Sequence, residues 1–235
     1  MPWWERVLPG PAVGRSAEME LLDAEELDPQ ELHTNLREMA MLNRLPGGVG
    51  ASIAAIRWAL DGVPQPRILD VGTGSGDLPR RLLRAIPGAR VTAIDSHPDV
   101  LAVARRNLRR TSGVTILQAD AGALPVEDGA FEVAHASLLH HHLEPDEVVG
   151  AMAEMHRVAL RGVVVNDLRR GRMAVAVNTI TVMALTRGYY TRNDGPMSAR
   201  RAYSLPELDA LAARAGLAPA WRTLSAWPRV TTVYR

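Results

Sequence analysis

Hydrophobic positions along the chain fall into two regimes, changing near residue 62. Before it they recur at helical spacing. Leu32, Leu36, Met39 and Leu42 stand three or four apart behind Asp28-Pro29-Gln30-Glu31. There Asp28 can cap, Pro29 suits the first helical position and Glu31 completes a capping box. Pro46-Gly47-Gly48 stops that run, and a second helix over about 49–60 carries Ile53, Ile56 and Trp58 as far as Asp61-Gly62. From Arg67 short apolar runs alternate with helical stretches. Residues 68–71, 91–94, 114–117, 131–138 and 162–165 read as strands, and 77–86, 98–110 and 145–159 as helices. Nearly continuous apolar strands between helices predict a parallel sheet covered on both faces.

After residue 165 the pattern loosens. Residues 173–185 predict an apolar helix, 186–203 read as polar and irregular, and Ser204-Leu205-Pro206-Glu207 opens a helix to about Ala215. Alternation over 220–234 predicts two last strands. The expected fold is α/β: a Rossmann-like, seven-stranded, mostly parallel sheet. A helical cap over 1–62 precedes a core over 63–235, which carries a lid inserted at about 169–203. Residues 173–185 are interrupted by Asn178, Thr179 and Thr181 and fall short of the ~20 apolar residues a membrane span needs. That helix is read as core or as the face of a homodimer. Met1-Pro2-Trp3-Trp4-Glu5-Arg6 has no apolar h-region or cleavage site, so no leader and a cytoplasmic location are expected.

Composition narrows function by exclusion. Lys+Arg total 27 against 26 Asp+Glu, a net charge of +1, which offers no general attraction to nucleic acid. The basic run Arg105-Arg106-Asn107-Leu108-Arg109-Arg110 falls on a core helix away from the expected ligand edge and reads as a solvated face. Absence of Cys excludes disulfides, zinc ribbons and thiol catalysis, so any base or nucleophile is nitrogen or oxygen.

Candidate chemistry begins at Asp70-Val71-Gly72-Thr73-Gly74-Ser75-Gly76-Asp77, directly after the first parallel strand. Gly72 permits the tight turn, Gly74 lets a ligand approach the backbone, and Gly76 lets the helix sit close to the strand. Asp95 ends the next strand about twenty residues on, where a carboxylate can accept both hydroxyl protons of a ribose. The spacing is G-x-G-x-G, not the dinucleotide G-x-G-x-x-G, and no P-loop lysine follows. Acids on both sides, Asp70 and Asp77, would repel a pyrophosphate and attract a sulfonium carrying an ammonium group.

These residues resemble the class I S-adenosylmethionine-dependent methyltransferases. Residues 69–76 look like the family's first motif, and Ala93-Ile94-Asp95 like its ribose-binding acid. Gln118-Ala119-Asp120-Ala121, with Leu124-Pro125, Asp128 and Phe131, is similar to the segment that lines the adenine. The resemblance implies S-adenosylmethionine as cofactor, with Asp120 bonding the adenine amino group and Ala121 offering a backbone amide. Ser96 and Ser137 complete the expected cofactor set with Asp70, Gly72, Thr73, Gly74, Gly76 and Asp95. A narrower resemblance rests on Leu21-Leu22-Asp23, Asn35-Leu36-Arg37-Glu38, Leu42-Asn43-Arg44, Gly47-Gly48, Val164-Val165-Asn166-Asp167-Leu168, Arg192-Asn193-Asp194-Gly195-Pro196 and Arg200-Arg201-Ala202-Tyr203. It is to bacterial small-molecule methyltransferases of polyketide and quinone tailoring. It implies O-methylation of a phenolic or quinone-like acceptor in secondary metabolism. C- or N-methylation, or cofactor binding without transfer, are the alternatives.

Leu139-His140-His141-His142-Leu143 follows the fourth strand at the edge where acceptor meets donor. Relatives commonly carry Leu-His-His here, matching His141 and His142. Phenols have pKa near 10, so a base is needed at pH 7, and a neutral His141 can serve. Asn166 or Asp167 is expected to orient the acceptor. Three adjacent histidines do not easily converge on one ion. Asn166-Asp167 resembles the metal-dependent catechol enzymes, but those need an aspartate after strand four. No metal is expected. An Asn-Pro-Pro-aromatic box, the mark of nucleobase or amide methylation, is absent, so a small molecule is the expected partner. Cap and lid supply its candidate lining: Asn43, Arg44, His140, His142, Tyr189, Asn193, Arg200 and Tyr203.

Overall fold

The computed structural model describes residues 14–24, 26–225 and 228–235; the Met1–Arg6 segment, on which the leader reading rests, lies outside them. Helices α1 (Pro29–Leu42) and α2 (Val49–Leu60) come first. The core follows as β1 (Arg67–Val71), α3 (Asp77–Ala85), β2 (Arg90–Asp95), α4 (Pro98–Leu108), β3 (Val114–Gln118), β4 (Val133–Ser137), α5 (Pro145–Val158) and β5 (Val163–Leu168). The chain ends with α6 (Arg172–Leu185), α7 (Tyr189–Arg201), α8 (Leu205–Arg214), β6 (Pro219–Leu224) and β7 (Arg229–Tyr234).

The strands form one sheet in the order β3-β2-β1-β4-β5-β7-β6, with β7 antiparallel to both neighbours and the other pairings parallel. Because strand side chains alternate, the sheet feeds two cores. Leu69, Ala134, Val163 and Val165 meet Met152 and Met155 of α5 and Leu208 of α8 on one face. Ile68, Val133, Val164 and Val233 meet Ile56 of α2 and Leu82 of α3 on the other. Strand order reverses between β1 and β4, which opens a crevice at their carboxyl ends.

Two elements differ from expectation. Helix α2 falls within the helical cap expected over 1–62, yet Ala55, Ile56 and Ala59 are fully buried against the sheet. It is a layer of the core, while α1 lies over the carboxyl edge through Leu32 and Leu36 on Val100 and Val103 of α4. Residues 186–203 were read as irregular but contain α7. Its buried face is polar (Thr191, Asp194, Ser198 and Arg201), so it shows no apolar period, and Gly195-Pro196 mimics a break. Gly195 is needed for close approach: an added Cβ would come within 2.8 Å of Val182 Cγ2 on α6. The Asp194 carboxylate accepts the backbone N–H of Leu21 at 2.9 Å and of Leu22 at 3.1 Å. Tertiary contacts therefore hold α7, and α7 holds the N-terminal strap.

Gly76 caps α3 with φ +76°, and a Cβ there would meet Leu108 Cδ1 at 2.6 Å. Gly76→Ala is expected to cost about 1–3 kcal/mol through left-handed strain and the displaced Leu108. Urea unfolding measures this, and an unchanged midpoint would contradict it.

Candidate active site

The turn after β1 is held by side chains of its own motif. Gly72 and Gly74 take φ +69° and +55°. Thr73 donates its hydroxyl to Asp70 Oδ2 at 2.7 Å, and Gly74 donates its N–H to Asp95 Oδ2 at 3.0 Å. Asp95 Oδ1 accepts from His97 N at 3.2 Å. Burial, with Asp70 adding its charge, raises the Asp95 carboxyl pKa against those hydrogen bonds. Behind the turn, Asp70 Oδ1 meets His135 Nδ1 at 2.8 Å, and His135 Nε2 meets Ser52 Oγ of α2 at 2.9 Å.

A cavity of about 780 Å³ runs along the carboxyl edge from this turn to the end of β4. That volume accommodates a cofactor together with a small molecule. Asp95 and Ser96 stand at one end, His141 and His142 at the other, and Leu36, Met39 and Val182 give it an apolar roof. Residues 19–23 form part of its wall, so the strap that Asp194 anchors helps to close it.

The histidine end is a single 3-10 turn, His140–His142. Asp167, leaving β5, receives His140 N at 2.9 Å on Oδ2 and meets His141 Nδ1 at 2.6 Å through Oδ1. Burial works against the Asp167 carboxylate, yet the adjacent His141, by charge and hydrogen bond, carries its pKa down to about 2. His142 Nδ1 meets Asp23 Oδ1 at 2.7 Å. Burial pulls His142 down, but the carboxylates of Glu20, Asp23 and Asp167 outweigh it and raise the ring to about 9. His140 has no hydrogen-bonded partner: both ring nitrogens are buried without one, Asp167 Oδ2 stands 3.9 Å from Nδ1, and desolvation outweighs that charge and lowers the ring to about 4. Arg201 closes the turn from α7, bonding His141 O at 3.1 Å, His142 O at 2.6 Å and Asp23 Oδ2 at 3.0 Å.

A family model for a methyltransferase domain matches residues 68–162. The demethylmenaquinone methyltransferase of Thermus thermophilus is 39% identical over 127 residues, which are 52% of this chain and 56% of that protein. The chain spans about half the length of the curated relatives it matches. The S-adenosylmethionine-dependent methyltransferase of Aquifex aeolicus superposes with a TM-score of 0.63 at 17% identity, covering 89% of this chain and 98% of that one. Human N-acetylserotonin methyltransferase superposes with a TM-score of 0.69 at 14% identity, over 92% of this chain and 59% of that one. These structures speak to the fold. This chain carries a class I S-adenosylmethionine-dependent methyltransferase domain.

The residues present fit the methyltransferase cofactor. A Cβ added at Gly74 would find only Leu36 Cδ2, at 3.9 Å, so the turn is open where a ligand must approach. Asp70 and Asp95 put negative charge on the cavity wall, as a sulfonium with an ammonium group requires. Gly72, Thr73, Ser96, Ala121 and Ser137 also line it. Gly76 sits behind the turn, and the exposed Asp120 carboxylate accepts Gly122 N at 2.7 Å. Asp95→Ala is expected to weaken S-adenosylmethionine binding by ~1–3 kcal/mol. Calorimetry checks this, and unchanged affinity would remove Asp95 from the site.

The other candidate residues separate by position. Asn43 lines the cavity, as do His141 and His142. Asn166 is fully buried and spends its side chain inward. It donates to Gly47 O and Gly48 O, both at 3.0 Å, and to Ser52 Oγ at 2.8 Å, and it accepts from Arg229 Nε at 3.0 Å. Asp167 is equally buried and meets the cavity through His141. Arg44, Tyr189, Asn193 and Arg200 are exposed, and Tyr203 is buried beneath Arg15 with its hydroxyl on Leu143 O at 2.8 Å. Sequence reasoning passed over Glu20, Asp23, Arg201 and Arg229 as site residues. Arg229, a charge within a β-branched strand, is the one with a visible signal. Burial lowers its guanidinium to about 10, and it bonds Asn43 Oδ1 and, at 2.8 Å, Ser137 Oγ.

Proposed function

We propose that this protein transfers a methyl group from S-adenosylmethionine to an oxygen of a small phenolic or quinone-like acceptor in secondary metabolism. The observation that carries the reading is the single cavity joining the glycine turn and Asp95 at one end to the His141–His142 turn at the other. Bound at the glycine end, the cofactor supplies an electrophilic methyl on a sulfonium that departs as a neutral thioether. The roof of Leu36, Met39 and Val182 suits a flat apolar body. With Nδ1–H donated to Asp167, the His141 ring keeps its Nε2 lone pair free to take the hydroxyl proton. Arg201 and Asp23 fix the turn that carries it, and the strap excludes water, so most of the acceleration comes from alignment in a dry site. The name of the Thermus thermophilus relative, a demethylmenaquinone methyltransferase, supports an acceptor of quinone type.

Radiolabelled methyl transfer to a panel of phenols and quinols tests this. Expected is an O-methyl product. A product labelled on carbon or nitrogen would replace the oxygen reading, and tight cofactor binding with no acceptor methylated would replace transfer with binding alone. Among the described residues no helix is long and apolar enough to cross a membrane.

A further inference from the structure

The sequence reading expected neighbouring histidines to diverge. In the 3-10 turn they do not: the rings of His141 and His142 lie 4.3 Å apart, tilted by 34°. Each Nδ1 is already engaged, by Asp167 at 2.6 Å and by Asp23 at 2.7 Å. Each Nε2 turns toward Glu20, with His141 Nε2 3.9 Å from Oε1 and His142 Nε2 3.9 Å from Oε2. Those separations are too long for hydrogen bonds. Glu20 is only 4% exposed, and its Oε1 is a buried oxygen without a hydrogen-bond partner. Each oxygen of this buried carboxylate thus faces one imidazole nitrogen across a gap that an ion bonded to both would span.

We propose that Glu20, His141 and His142 form a binding site for a divalent transition-metal ion or Zn²⁺. Three donor atoms, one from each residue, lie within 4.8 Å of one another, the only such group among the described residues. Ion bonds of about 2.0–2.2 Å need donors about 3.3 Å apart in a tetrahedron, so a pair at the full 4.8 Å closes by about 1.5 Å, less than an ångström per donor. Two imidazoles and one carboxylate favour zinc, iron, cobalt or nickel over magnesium or calcium. Asp167 and Asp23 on the two Nδ1 atoms are the carboxylate–histidine partners that orient metal-bound imidazoles. With Glu20, they bring three carboxylates to a corner where Arg201 is the guanidinium in contact, at 3.0 Å from Asp23. Three protein ligands leave a fourth position open to the cavity that these residues line.

The ion site stands on these atoms alone; its use rests on the proposed function. With an ion bound, the acceptor oxygen occupies the open position as an oxyanion, its proton released to solvent. His141 then serves as a ligand instead of taking the proton.

The test uses the untagged full chain, stripped of metal by chelation and titrated with Zn²⁺ and with Co²⁺. Calorimetry gives stoichiometry, and the visible Co²⁺ spectrum reports the ligand set. Expected is one ion per chain, bound at least ~100-fold more weakly by Glu20→Gln and by His142→Ala. S-adenosylmethionine binding by each variant verifies that it is folded. Absence of ion uptake by the wild-type chain, or equal affinity in wild type and both folded variants, overturns the site. Methyl transfer without ion uptake overturns the site and leaves the proposed function standing. Ion uptake at these residues with no acceptor methylated supports the site and overturns that function.

Discussion

His141→Ala is expected to lower kcat by about 100-fold or more while leaving S-adenosylmethionine affinity unchanged. The expectation rests on placement. The imidazole lines the cavity at the end of β4, and the buried Asp167, held ionised well below neutral pH, fixes its Nδ1 side at 2.6 Å. A phenol with pKa near 10 is almost wholly protonated at pH 7, so the step needs help at the oxygen. Removing His141 removes that help, whether the ring takes the proton or holds an ion that carries the oxygen. The loss should shrink on acceptors acidic enough to be ionised at the assay pH. A merely structural role would not produce that dependence. Near-normal turnover on an ordinary phenol would show that His141 does not act at the oxygen.

Asn166→Ala is expected to act on stability instead, by about 3 kcal/mol or more, with kcat per folded molecule changed less than about tenfold. The side chain joins β5 to the Gly47-Gly48 bend, to Ser52 on α2 and to Arg229 on β7. Its deletion strands the Gly47 carbonyl and the Arg229 Nε–H, each costing ~1–3 kcal/mol when buried without a partner, while Gly48 O keeps the N–H groups of Ala51 and Ser52. Urea unfolding and single-turnover rates, measured side by side, separate the two effects. A large fall in rate at unchanged stability would place Asn166 in contact with the acceptor. The pairing also says why Asn43 and Arg229 belong to the same argument. Arg229 reaches the cavity wall as the partner of Asn43, Ser137 and Asn166 together.

Legibility followed the range of the interactions. Helix α2 was read from its apolar spacing, and the Asp28 and Ser204 caps marked the starts of α1 and α8, because capping and periodicity act within a few residues. The glycine turn and Asp95 were legible for a similar reason: a strand–turn–helix unit fixes its own geometry, and one more parallel strand brings the acid beside it. Helix α7 was not legible. It buries Thr191, Asp194, Ser198 and Arg201 against partners from residues 16–38 and 141–143, so its stabilising contacts leave no period in its own sequence.

The sequence by itself determined the α/β order, the glycine turn with Asp70 and Asp95 beside it, and the presence of histidines after the fourth strand. Those features arise from local hydrogen bonding and the alternation of apolar side chains. Only the tertiary structure decided what the histidines face. Glu20 lies about 120 residues before them, and it arrives because Asp194 on α7 grips the backbone of Leu21 and Leu22. The strap, α7 and the histidine turn form one site because buried polar groups must find partners wherever the fold supplies them.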